Sequence, residues 1–211
     1  MKGLTRKKLE LLLERVRPYP SPRIELEQYT IPSKLAATIL WIAGFLHNDI
    51  GGKVVCDLGC GTGRLAIGAA LMGAEKVIGV DIDFDALKIA FENAKRLGVD
   101  DVICWVRADV IHLNIEVDVV IQNPPFGVHP HLRGTDVAFL LKAMDIAREV
   151  VYSLHKAGEK NREFLERLIK EKGGRVSERI SLELDIPPTY KFHTKRHYVV
   201  EVDLYRIEVG R

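Results

Sequence analysis

A chain of 211 residues, 47% of them hydrophobic, has enough apolar material for one domain with one sizeable core. Its formal net charge is only +2, although 28% of its residues are charged. That excludes a strong global field for nucleic acid, so any RNA contact must come from local basic clusters or from a partner.

Residues 4–16 place Leu4, Leu9, Leu12, Leu13 and Val16 at helical spacing, which predicts an amphipathic N-terminal helix. Pro18, Pro20 and Pro22 end it and force an extended stretch. A second helix is expected over residues 34–46. Strands and helices then alternate: strand 53–57, helix 64–72, strand 76–80, helix 84–97 stopped by Gly98, strand 102–106 and strand 117–122. A helix over 135–149, a strand over 150–154 and a helix over 161–172 follow. Residues 175–184 and 197–209 read as two long strands, with Pro187-Pro188 between them. Joined without a crossover helix, they should be antiparallel.

Repeated strand–helix units imply a mainly parallel sheet covered on both faces. The expected fold class is α/β, a seven-stranded, mostly parallel sheet with a C-terminal antiparallel strand pair. One domain is expected over 1–211, with residues 1–33 as an N-terminal appendage. No apolar run approaches the roughly 20 residues a membrane helix needs, and no signal peptide or anchor is read. The expected compartment is the cytoplasm. Cys56, Cys60 and Cys104 fit a reducing compartment and lack a second pair at zinc spacing, so no metal is expected.

The first strand leads into Asp57-Leu58-Gly59-Cys60-Gly61-Thr62-Gly63, followed by a helix. Glycines let a backbone turn tightly and approach a ligand closely. A dinucleotide fingerprint would need a sixth-position glycine, where Arg64 stands, and a P-loop would need Lys and then Ser or Thr after the last glycine. What remains, an acid followed by G-x-G-x-G, looks like the S-adenosylmethionine loop. Asp57 would then face the positively charged methionine end. Asp81, at the end of the second strand, is placed to accept both ribose hydroxyls. Ile82 would lie against the adenine, and Asp83 would cap the next helix. Asp109, after the third strand, could take a hydrogen bond from the adenine amine.

The fourth strand runs into Asn123-Pro124-Pro125-Phe126-Gly127. The side-chain carbonyl of Asn123 and the backbone carbonyl of Pro124 are two acceptors, enough to hold both hydrogens of a planar amino group. That would aim the nitrogen lone pair at a methyl donor, with positioning supplying most of the catalysis. Phe126 offers a face on which a base could stack. The segment resembles the Asp/Asn-Pro-Pro-aromatic signature of amino methyltransferases. Their acceptors are adenine N6, cytosine N4, guanine N2 or a glutamine amide, and the tetrapeptide does not choose among them.

Other segments narrow the choice. Glu27-Gln28-Tyr29-Thr30, residues 123–127, Gly134 to Phe139, Val151 to Lys156 and Tyr190-Lys191-Phe192-His193 together resemble the methyltransferase-like protein 5 family. The resemblance covers nearly the whole chain. It implies a Rossmann-like S-adenosylmethionine-dependent fold and an RNA methyltransferase acting on N6 of an adenine in small-subunit rRNA. Protein glutamine N5-methylation and guanine N2-methylation are the alternatives. A release-factor glutamine methyltransferase usually carries a larger helical N-terminal domain than residues 1–33 provide. The resemblance further implies that Gln28, Tyr29 and Thr30 close over the cofactor. It makes Lys191, Phe192, His193 and Lys195 RNA-contact candidates, and it suggests a small zinc-binding activator subunit as a partner.

Overall fold

The computed structural model describes residues 3–186 and 198–210. Strands β1 (Val54–Leu58), β2 (Lys76–Asp81), β3 (Ile103–Arg107), β4 (Val117–Gln122), β5 (Ala147–Lys156), β6 (Gly174–Ile186) and β7 (Tyr198–Val209) form one sheet in the order β3-β2-β1-β4-β5-β7-β6. The first five pair in parallel, and β7 runs antiparallel to both β5 and β6. This is the expected seven-stranded α/β sheet with its closing antiparallel pair.

The inner strands are apolar at successive positions because both faces are covered. On one face Val55, Val77, Val119 and Ile121 pack under α1 (Arg6–Leu13), α2 (Ser33–Trp41) and α3 (Arg64–Leu71). On the other, Leu58, Val120 and Val151 pack with Leu140 of α5 (Thr135–Ile146) and Leu165 of α6 (Glu159–Glu171). Between β2 and β3 lies α4 (Phe84–Leu97), capped by Asp83 and ended by Gly98 at φ +67°. Leu9, Leu13 and Val16 are at most 1% exposed and belong to the same apolar cluster as the sheet. Burying each Leu contributes roughly 1.5–3 kcal/mol, so α1 is integral to the core rather than appended to it.

Three further expectations differ from the structure. The second helix is α-helical only to Trp41 and continues as a wider π turn over Ile42–Leu46. There Gly44 approaches Met72 so closely that a Cβ would lie 2.6 Å from its methyl. Helix α5 ends at Ile146 instead of 149, because Ala147 already pairs with Val117 of β4. The proline-rich stretch is not simply extended. It contains a 3₁₀ turn over Ile24–Leu26 and then Glu27 with φ +48°.

Candidate active site

From β1 the chain crosses to β2 on one side, while β4 lies on the other. Such a switch in strand order opens a crevice beyond the carboxyl ends of the strands. A cavity of about 290 Å³ lies there. It is lined by Asp57, Gly59, Gly61, Asp81, Ile82 and Asp109, as the sequence led one to expect, and also by Asn123 and Pro125.

Gly59 and Cys60 donate their backbone N–H groups to Val80 O, each at 2.9 Å, which folds the glycine loop over the end of β2. Gly61 has φ +53°, and a Cβ there would collide with the Tyr19 hydroxyl. Asp57 is buried and accepts from Ala66 N at 2.9 Å. Burial pushes its pKa up to about 7, and neighbouring Asp81 adds to the rise. Asp81 is held by Gly61 N at 2.8 Å and by Asp83 N at 2.9 Å. Burial raises its pKa too, against the pull of those bonds. The phenol of Tyr19 is also pushed well up, by burial and then by Asp81. Buried carboxylates with raised proton affinity favour a cation beside them.

Beyond the acids, Ile82, Ala108, Val110 and Ile111 form an apolar wall. Asp109 is exposed at the rim, where its carboxylate caps the turn by accepting from Ile111 N at 3.0 Å. Buried acids beside an apolar wall suit a ligand that joins a cationic group to an apolar ring.

Residues 17–31 lie across this cavity as a strap. Arg64 of α3 holds both its ends, donating to Val16 O at 2.8 Å and to Ile31 O. Gln28 is buried and donates to Asp83 Oδ2 at 2.7 Å. Arg23 also reaches Asp83, at 3.2 Å. Thr30 and Thr62 bring their hydroxyls within 3.4 Å. Gln28, Tyr29 and Thr30 all line the cavity.

On the far side of the strap lies the loop after β4. The Tyr29 hydroxyl donates to Asn123 Oδ1 at 2.9 Å. Pro124 and Phe126 stand outside the cavity lining, Pro124 buried and Phe126 half-buried. The Phe126 ring sits between the Tyr29 ring, centroids 6.4 Å apart, and the Lys156 ammonium, 5.8 Å from its centroid. Lys156 makes no ion pair with a described residue. The four C-terminal RNA-contact candidates, Lys191, Phe192, His193 and Lys195, lie outside the described residues.

Comparison with known proteins decides the family. The family model of ribosomal protein L11 methyltransferase (PrmA) matches residues 37–124, which include the glycine loop and the acids at positions 57, 81 and 109. Mettl5 of Drosophila melanogaster, an rRNA N(6)-adenosine-methyltransferase, is 39% identical over 215 residues, covering 100% of this chain and 99% of the fly protein. This chain belongs to the Mettl5 family of methyltransferases. An uncharacterized protein of Methanocaldococcus jannaschii is 41% identical, with 97% of this chain and 94% of its own covered. The crystal structure of a candidate RNA methyltransferase from Pyrococcus horikoshii superposes with a TM-score of 0.89 at 40% identity, covering 99% of this chain and 100% of that one.

In this member of the Mettl5 family, several residues at the cavity carried no role in the sequence reading. Tyr19 fills the space above Gly61, and Phe139 stands 3.0 Å from where a Cβ of Gly59 would be. A lone aromatic between Pro18 and Pro20 was the available signal for Tyr19. Arg64 stands where a dinucleotide fingerprint would have glycine, and its task is to hold the strap. Glu27, Phe139 and Lys156 lay within the strings that carried the resemblance. Nothing in their spacing gave them a task. Among the described residues no group of acids, histidines and cysteines could hold a metal, and no helix is long and apolar enough to cross a membrane.

Proposed function

We propose that this Mettl5-family enzyme transfers the methyl group of S-adenosylmethionine to N6 of an adenine in small-subunit rRNA. The observation that carries this reading is the adjacency of Asn123 and Pro125 to Asp57 and Asp81 around one cavity. S-adenosylmethionine supplies an electrophilic methyl group on a sulfonium. Asp57 meets the cationic methionine end, Asp81 accepts from the ribose hydroxyls, Ile82 covers the adenine and Asp109 accepts from its amine. Gln28, Tyr29 and Thr30 close that half of the site.

The acceptor amine is held by Asn123 Oδ1 and the Pro124 carbonyl. Oδ1 has two lone pairs, so it can accept from Tyr29 and from the amine together. Fixing both hydrogens of the NH2 group leaves its lone pair directed along the line of displacement. Phe126 stacks on the base, an interaction typically worth about 1–3 kcal/mol. Pro125 stiffens the loop by fixing φ. Lys191, Phe192, His193, Lys195 and Lys156, which has no ion pair among the described residues, contact the RNA.

The match to a protein methyltransferase family stops at Pro124. It therefore covers the donor half and only Asn123 and Pro124 of the acceptor half, and adds nothing that favours a protein acceptor over a base. A small zinc-binding activator is the proposed protein partner, and the cytoplasm the proposed compartment. Strand β3 is an edge of the sheet, with one face of its backbone groups open to a partner strand.

The test is incubation with labelled S-adenosylmethionine and ribosomal subunits, then digestion and identification of the nucleoside. N6-methyladenosine is expected; N2-methylguanosine or labelled protein overturns the assignment. Asn123→Ala should keep cofactor affinity while kcat falls about 100-fold or more, and full activity in that variant would sink the amine-holding role.

A further inference from the structure

Glu27 is held in a backbone conformation that L-residues avoid. Its φ is +48°, and Asn48 is the other non-glycine with positive φ among the described residues. Strain of this kind persists only where surrounding contacts over-determine it. One carboxylate oxygen of Glu27 accepts from Gly127 N at 3.1 Å and the other from His129 N at 2.8 Å. Those N–H groups belong to the chain leaving Asn123 to Phe126.

The neighbouring alternate positions grip the same loop. Glu25 O meets His131 Nε2 at 2.8 Å, and the Tyr29 hydroxyl donates to Asn123 Oδ1 at 2.9 Å. The intervening Gln28 turns the other way, to Asp83 beside the cofactor acids. One edge of the strap thus holds the loop after β4, and the other holds the donor side.

We infer that Glu27 is a positioning residue for methyl transfer, its carboxylate fixing the Asn123–Phe126 loop through Gly127 and His129. This rests on the function proposed above. A carboxylate suits the task because two acceptor oxygens face two donors. An amide of the same size offers one acceptor and points an NH2 at the second donor. A misplaced amine-holding loop loses rate at the chemical step, and a shift of about 1 Å costs on the order of 100-fold.

Glu27→Gln tests this with little change in volume. The wild-type acceptor is identified first, and all rates are measured on that acceptor. A non-adenine acceptor would therefore overturn the function reading without blocking the test of Glu27. In Glu27→Gln, kcat should fall about 10- to 100-fold, while KM for RNA and Kd for S-adenosylmethionine stay within about twofold. Tyr29→Phe should also lower kcat. Because both residues act on one loop, the double variant should lose much less than the product of the two single losses. The inference is overturned if kcat of Glu27→Gln stays within about twofold of wild type, or if cofactor affinity falls by the same factor as kcat.

Discussion

Asp57 is a carboxylate whose charge depends on what lies beside it. Shut away from water and close to Asp81, it takes up a proton near pH 7 when no cation faces it. A raised carboxylate pKa in the folded chain favours folding at acid pH. That contribution is lost as pH rises from the ordinary carboxylate range through about 7. A cationic ligand reverses the preference, because it favours the ionised form. Affinity for S-adenosylmethionine should therefore fall as pH drops below about 7, approaching tenfold per pH unit. Calorimetric titration between about pH 5.5 and pH 8 measures this, and Asp57→Asn should bind weakly with a flattened profile. An unchanged wild-type Kd across that range would remove Asp57 from the cationic end.

At the scale of elements, one side chain ties the two ends of the strap together. Arg64 is half-buried at the start of α3, and the loss of water around it lowers its pKa to about 10. It donates to carbonyls at the two ends of the strap. Arg64→Met keeps much of the volume but leaves the Val16 and Ile31 carbonyls without their donor, so Tm should fall by a few degrees. Amide hydrogen exchange over residues 17–31 should accelerate, and cofactor affinity should fall about tenfold, the loss of roughly one charge-assisted hydrogen bond. Unchanged exchange there would show that the strap is held elsewhere. Legibility followed local chemistry at this scale. Helix α4 was read to the residue because Asp83 caps it and Gly98 stops it. Strand β4 was read to the residue because Asn-Pro-Pro ends it. The α5–β5 junction was misread because Ala147, Arg148 and Glu149 suit a helix, and only pairing with β4 makes Ala147 strand. The conformation of Glu27 had no signal at all: the residue is neither Gly nor Asn, and its positive φ answers to Gly127 and His129, about 100 positions away in the chain.

For the whole molecule, a formal net charge of +2 sets how RNA can be gripped. Much of the charge is already spent internally: Arg162 pairs with Asp203, Arg206 with Asp49 and Arg148 with Glu116. Lys156 differs in having its ammonium over Phe126 with no carboxylate among the described residues. Each phosphate neutralised releases counterions, so the slope of log affinity against log salt counts the contacts, at about 0.7 per phosphate on a single strand. With Lys156, Lys191 and Lys195 as the proposed cationic contacts, the slope for a short RNA containing the target adenine should be shallow, about 2 in magnitude. Lys156→Ala should flatten it by roughly one phosphate's share and weaken binding at low salt, while kcat at saturating RNA changes little. Lys156→Ala with an unaltered slope would assign the ammonium to Phe126 alone. A fall in kcat at unchanged affinity would instead make Lys156 part of the base-holding geometry, in line with its place over the ring that follows Pro125.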